Sequence, residues 1–137
     1  MQTFLTDYDF SAIASTLDYR RLGKQRIECK QILRALTNES QGWRNHPATK
    51  MWRGYENELI GYALTMCQEW TRRGYTDNQF DWFIARYDPD IEITIPEWIT
   101  DDLILSHRSN LIRKAPEIYS PLWPDVPNDL PYVWPVP

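Results

Sequence analysis

Cysteine and histidine are scarce in this 137-residue chain, with two of each, and glycine occurs five times. Cys29 and Cys67 form neither a disulfide framework nor a zinc-ligand spacing. His46 and His107 have no carboxylate pattern around them of the kind that marks a metal site, so neither metal nor cofactor is expected. No run approaches the ~20 apolar residues of a membrane span. The segment Met1–Asp7 has neither the basic start nor the apolar stretch of a secretory signal. A Ser/His/Asp signature, a P-loop and a dinucleotide fingerprint are all missing. These absences exclude a membrane protein, a secreted disulfide scaffold and a zinc finger. They leave a reduced, intracellular domain, expected in the cytoplasm and, at this size, as a monomer.

Aromatic residues are what the chain has in excess: seven Trp and eight Tyr. Such rings serve in a core, at an interface, or where bases stack. Seven of the ten prolines fall from Pro116 onward, which marks residues 116–137 as a tail. The formal charge is −4, but it is unevenly spread. Residues 1–73 carry 11 basic and 8 acidic side chains, and residues 74–137 carry 4 basic and 11 acidic. Arg20, Arg21, Lys24, Arg26, Lys30 and Arg34 crowd one stretch whose single acid is Glu28. Over a Debye length of ~10 Å such a cluster can hold a polyanion despite the acidic total. It also reads as a solvated helix face.

Helical periodicity dominates. Apolar residues at 22, 29, 32, 33 and 36 predict a helix from Asp18 to Leu36, capped by Thr16 or Asp18 and ended by Asn38. A short helical piece around Phe10–Ala14 precedes it. A second helix is expected from about Ala48 to Arg73, with Trp52, Tyr55, Leu59, Tyr62, Ala63, Met66 and Trp70 as its stripe and Gly74 as the residue after it. Asp77-Asn78-Gln79 caps a short third helix through Phe80, Phe83 and Ile84. Ile91–Ile95 alternates like a strand, but Pro96 follows and no partner strand is evident, so it reads as an extended connection. Thr100 opens a last helix over Asp101–Lys114, with Leu103, Ile104, Leu111 and Ile112 inward. From Pro116 the proline spacing forbids a helix. The expected fold is therefore all-α: one compact domain over 1–137, of three to four helices, with an ordered coil strap over 116–137.

Two places can carry chemistry. Glu28 falls at the edge of the apolar face of its helix, beside Arg21 and just inside Lys24. Partial desolvation raises a carboxyl pKa while neighbouring cations lower it, opposed effects typical of an acid/base group. The same spacing also makes a plain Lys24–Glu28 ion pair at i,i+4. Gly42-Trp43-Arg44-Asn45-His46-Pro47 gathers a ring, a cation, an amide and an imidazole on one turn, where functional groups collect. Asn45 or His46 equally serves there as a helix cap.

Four stretches in register are similar to one family: Arg26-Ile27-Glu28, Gly42 to Pro47, Glu69-Trp70-Thr71-Arg72-Arg73-Gly74-Tyr75, and Ser106-His107-Arg108-Ser109-Asn110-Leu111-Ile112-Arg113-Lys114. With the aromatic segment Tyr119 to Trp123, they resemble the pyrimidine dimer DNA glycosylases, the phage endonuclease V family. The resemblance implies a compact helical enzyme that removes a damaged base and nicks the strand. Its N-terminal amine attacks C1′ to form a Schiff base, and β-elimination follows. An α-amine suits this step because its pKa of ~8 leaves free base near neutrality. By the same resemblance Met1 or Gln2 supplies the amine, and Glu28 assists base loss and the later proton transfers. Arg21, Lys24, Arg26, Arg44, His46, His107, Arg108, Arg113 and Lys114 would contact DNA. The implied partner is double-stranded DNA with a damaged or modified pyrimidine, in a bacterial or phage-infected cytoplasm, with no membrane. Two features depart from the family: Gln2 is large enough to hinder removal of Met1, and the total charge is negative. The alternative is a catalytically inactive nucleic-acid- or protein-binding module on the same helical scaffold.

Overall fold

The computed structural model describes residues 1–135. Among them are seven helices and no strands, as the periodicity predicts for an all-α chain: α1 (Phe10–Thr16), α2 (Tyr19–Leu36), α3 (Pro47–Lys50), α4 (Glu56–Arg72), α5 (Phe80–Ile84), α6 (Asp101–Lys114) and α7 (Pro116–Tyr119). Three are long and four are short. Among the described residues no helix is long and apolar enough to cross a membrane.

The caps explain most of the boundaries. Asp18 rather than Thr16 opens α2, its carboxylate accepting from the Arg21 amide. Asn38 closes it in a left-handed conformation at φ 62°. Asp77 accepts from the Phe80 amide at the head of α5, and Thr100 caps α6 through the Leu103 amide. Gly74 ends α4 at φ 95°, a conformation that costs an L-residue backbone strain.

Two expectations need correction. The helix expected from Ala48 to Arg73 is broken: α3 is a single turn, and the chain reverses through Gly54 at φ 86° before α4 starts. The apolar stripe runs across this break, and periodicity alone cannot see it because Trp52 and Tyr55 face inward from a turn as well as they do from a helix. The tail is not wholly coil either. Pro116 occupies the first position of α7, where its missing N–H removes no intrahelical bond. Beyond Tyr119 the tail is irregular and is tied along α6. Ser109 Oγ accepts from the Leu130 amide (3.0 Å), Ser106 Oγ from the Val133 amide (3.1 Å), and Arg113 donates to the Asn128 carbonyl (2.8 Å). Val136 and Pro137, the end of the expected strap, lie outside the described residues.

Helices α2 and α4 pack along each other. Leu22, Cys29, Ile32 and Leu33 meet Leu59, Tyr62, Ala63 and Met66, with Trp52, Phe83, Leu103 and Leu111 closing the core. At Gly23 the Trp70 indole approaches to 3.1 Å of the place a Cβ would take, so any larger residue there would push the ring back from α2.

The turn at Gly54 separates backbone cost from packing, because nothing lies within 4 Å of the place a Cβ would occupy there. Gly54→Ala should therefore destabilise by about 1 kcal/mol, through the left-handed backbone alone, and Gly54→Asn by less. Urea unfolding of the two variants checks this.

Candidate functional site

The N-terminal segment, not a helix, is the centre of the site. Gln2, Thr3, Phe4, Leu5 and Thr6 are all buried, yet they belong to no helix or sheet. Buried backbone groups must be paired, and here side chains from three helices pair them. The Phe4 amide donates to Gln25 Oε1 (3.1 Å) and the Leu5 amide to His107 Nδ1 (2.9 Å). Gln25 Nε2 donates to the Gln2 carbonyl (2.8 Å), and Arg108 donates to the Thr6 carbonyl (2.8 Å). The Tyr62 hydroxyl lies 2.8 Å from the Phe4 carbonyl and 2.6 Å from Gln25 Oε1, sharing its one proton between them. Trp52 Nε1 donates to Thr3 Oγ1 (3.0 Å).

This segment delivers the start of the chain to Glu28. The Gln2 backbone nitrogen donates to Glu28 Oε2 across 3.4 Å, and Gln25 Nε2 also reaches that oxygen, at 3.3 Å. All four hydrogen-bonding valences of the Gln25 amide are therefore used, and they hold the chain terminus and the acid in one frame. The Lys24–Glu28 ion pair that the spacing allows does not form: among the described residues no cation stands within ion-pairing distance of Glu28.

Around this pair opens a cavity of about 720 Å³ lined by Met1, Gln2, Phe4, Arg20, Arg21, Lys24, Gln25, Glu28, Lys114 and Tyr132. Four cations face one acid in it. Arg21 is held by Asp18 at 3.1 Å, and Asp18 is itself fixed by the Tyr119 hydroxyl. That hydroxyl and the Arg21 guanidinium keep the Asp18 carboxyl below its usual range although burial pushes it up. Burial, and next the like charge of Arg21, lowers the Lys114 ammonium from its ordinary value. The hollow is thus strongly positive, and its charge is crowded enough to favour an incoming anion.

His46 stands beside the cavity. It caps α3, its Nδ1 accepting from the Ala48 amide (3.0 Å). Burial lowers its pKa, and the positive chain terminus lowers it further while Glu28 opposes, which places the ring within the field of both. His46 meets Trp134 edge to face at 6.1 Å, and Trp134 meets Tyr132 at 5.7 Å, so an aromatic chain runs from this loop to the cavity wall.

Met1, Gln2, Arg21, Lys24, Glu28 and Lys114 are therefore brought together, with His46 adjoining them. The other expected residues stand apart. Arg44 is exposed on the loop, paired with Gln41. Arg26 is 8% exposed, bound to Asp77 and stacked on Trp70 at 4.5 Å, so it ties α2 to the start of α5 rather than facing a phosphate. His107 is wholly buried. Arg108 is spent on the Thr6 carbonyl and stands 3.8 Å from Asp7, and Arg113 holds the tail. A helix wheel gives these side chains the right element, but the extended segment and the tail that claim them have no period to read. Sequence reasoning also passed over Arg20, Gln25 and Tyr132. Arg20 had a signal, its place in the basic run. Gln25 and Tyr132 had none.

His107 makes the anchoring testable. Burial, and next the positive charge of Lys114, holds its pKa down to about 3, and only the neutral ring accepts from the Leu5 amide. The unfolded ring titrates near ~6.5. Between those values the unfolded chain binds the extra proton, so stability is full above about pH 6.5 and falls as the pH drops toward 3. Ring-nitrogen NMR should find His107 neutral at pH 5, and His107→Phe should flatten the stability profile between pH 6.5 and 4.

Comparison with curated proteins and with solved structures finds no match. The sequence model of the pyrimidine dimer DNA glycosylases matches residues 1–82, which span α1 to α4 and reach into α5. That stretch is more than half of the 137 residues and contains the chain start, Glu28 and three of the four cavity cations. By sequence, the chain belongs to the pyrimidine dimer DNA glycosylase family.

Proposed function

We propose that the protein is a DNA repair glycosylase and AP lyase that acts on pyrimidine dimers through an amine at the start of the chain, with Glu28 as its proton-transfer group. The observation that carries this reading is the 3.4 Å approach of the Gln2 nitrogen to Glu28 Oε2 at the edge of the cationic cavity. Acid/base work requires that reach, directly or through one water.

The same contact favours one amine over the other. In the intact chain the Gln2 nitrogen is an amide and no nucleophile. Removal of Met1, although the bulk of Gln2 hinders it, would turn this nitrogen into the primary amine, and Gln25, bound to both the Gln2 carbonyl and Glu28, already holds it near the acid. The free amine attacks C1′ of the damaged nucleotide, the new N–C1′ bond replaces the glycosidic bond, and the base departs with a proton. The nitrogen lone pair then expels O4′, which takes a proton as the sugar ring opens, and the resulting iminium acidifies C2′; Glu28 takes the C2′ proton as the 3′ C–O bond breaks and the 3′ phosphate leaves. Arg20, Arg21, Lys24 and Lys114 supply the charge that holds the flanking phosphates, contacts that position the duplex and carry no sequence information. Extruding a nucleotide costs a few kcal/mol, least at a damaged step.

Borohydride trapping on ultraviolet-damaged and abasic duplexes tests the reading. The wild type should give a covalent adduct, and mass mapping should place it on a peptide that begins at Gln2. Glu28→Gln should cut base release and nicking by about 10²- to 10⁴-fold while duplex binding persists. Lys24→Gln should leave chemistry in place and reduce the slope of log affinity against log salt by roughly 1. An absent adduct, or near-full activity in Glu28→Gln, overturns the assignment.

A further inference from the structure

Between α5 and α6, residues 92–96 run against α4 with neither helix nor turn. Two contacts seat them there. Glu58 Oε2 accepts from the Thr94 amide (3.4 Å), and Ile93 Cδ1 comes within 3.1 Å of the place a Cβ would take at Gly61. Among the described residues the amides and carbonyls of Ile93 and Ile95 have no hydrogen-bond partner. Alternate residues of an extended chain turn these groups to the same edge. Thr94 therefore faces α4, while Ile93 and Ile95 offer an open edge of the kind that pairs with another strand. Their side chains add an apolar stripe: Ile91 is 50% exposed, Ile93 38% and Ile95 51%. A lone exposed isoleucine needs no explanation, but three at alternate positions along one unpaired edge make a contiguous patch. Hollows of about 400 Å³ at Ile91 and about 430 Å³ at Ile93 and Ile95 flank it.

The charge around this edge has one sign. Between Tyr87 and Ser106 stand six acids, Asp88, Asp90, Glu92, Glu97, Asp101 and Asp102, and no Lys or Arg. Asp7 and Asp9 line the second hollow, which holds no cation. In the first, Glu58 is 7% exposed and pairs with no cation among the described residues, and Arg86 is engaged by Glu39 and the Trp82 ring. From this geometry we infer that residues 91–95 are a docking edge for a partner protein, which adds an extended basic segment with apolar residues at alternate positions. Main-chain pairing gives such a complex its affinity, and the flanking hollows select its side chains. The acids decide the occupant. They repel nucleic acid. A second copy fits by pattern, since antiparallel pairing about Ile93 sets Ile91 against Ile95 and Glu92 against Thr94, but it would bring the same acids to face their own kind, and like charges across an interface oppose pairing. The edge lies beyond residue 82, outside the stretch matched by the family, and the inference does not depend on the DNA-directed reading above.

NMR titration and amide hydrogen exchange with two short synthetic peptides test it, one alternating lysine with valine and the other alternating glutamate with valine. The lysine peptide should shift and protect the Ile93 and Ile95 amides, and its affinity should fall as salt is added. The glutamate peptide should not bind. Ile95→Lys, at an exposed position, should lower the affinity for the lysine peptide about 10-fold, and Glu92→Gln should lower it about 2- to 5-fold. Failure of the lysine peptide to bind, equal binding of both peptides, or protection confined to other amides overturns the inference. Protection of the same two amides that rises with protein concentration in the absence of peptide also overturns it, because the edge is then an interface between copies. None of these outcomes depends on whether the borohydride adduct forms.

Discussion

The structure depends on hydrogen bonding a stretch of backbone that has no secondary structure of its own. Residues 2–6 run through the interior as irregular chain, and each unpaired amide or carbonyl there would carry a desolvation cost of ~1–3 kcal/mol. Gln25, Tyr62, His107 and Arg108 remove that cost one group at a time. These partners come from α2, α4 and α6, so the three long helices are pinned to one another through the segment between them. A buried glutamine and a buried neutral histidine, which look like misplaced polar residues when the helices are considered singly, become necessary once the segment is in place. The functional consequence is positional. A chain terminus is ordinarily the most mobile part of a protein. Here it is threaded into the core, and the nitrogen of residue 2 is held at one place beside one carboxylate.

Electrostatics divides the cations into two groups with different work. Arg20, Arg21, Lys24 and Lys114 converge on the cavity, where the single acid is the one beside the Gln2 nitrogen. Arg26, Arg73, Arg108 and Arg113 instead satisfy carboxylates or carbonyls: Asp77, Glu69, Thr6 and Asn128 respectively. The net charge of −4 therefore says little about the surface a duplex meets. The acidic residues concentrate in the second half of the chain, none of them lines the cavity, and potentials act over a Debye length rather than over the whole molecule. The −4 that departs from a DNA-scanning enzyme is compatible with a strongly positive reaction site.

What was legible in the sequence follows the reach of the signals. The cap at Asp18, the span Asp101–Lys114 and the short helix at Phe80 are local features, written within one or two turns, and periodicity with capping finds them. Glu28 and three of its four cationic neighbours, Arg20, Arg21 and Lys24, lie on one helix, so their grouping was also legible. The break at Gly54 was not, because apolar spacing survives a turn and one glycine is a weak stop. Least legible were the contacts that make the site. Gln25 to Gln2, Phe4 to Tyr62 and Leu5 to His107 join residues 23, 58 and 102 positions apart. No pattern on either partner announces them. Arg26, assigned to DNA by the resemblance, instead binds Asp77 and stacks on Trp70, the ring that Gly23 admits against α2.

The division of labour along the chain follows from the same geometry. Residues 1–82, the portion matched by the family, contain the Gln2 nitrogen, Glu28, Gln25, Tyr62 and three of the four cavity cations. The remainder supplies what encloses them: His107 and Arg108 hold the threaded segment from α6, Lys114 and Tyr132 complete the cavity wall, and Trp134 reaches His46. Tyr119 of α7 donates to Asp18 and so fixes the carboxylate that orients Arg21. On the proposed reading the first part carries the reacting groups and the second encloses them. Acid/base work tolerates displacements of little more than a hydrogen-bond length, so on that reading the irregular tail bears on the chemistry through Tyr132 in the cavity wall and Trp134 against His46. Loosening His107 would free the Leu5 amide and with it the segment that holds the nitrogen of residue 2 beside Glu28, whereas loosening Tyr119 would free Asp18 and so the orientation of Arg21.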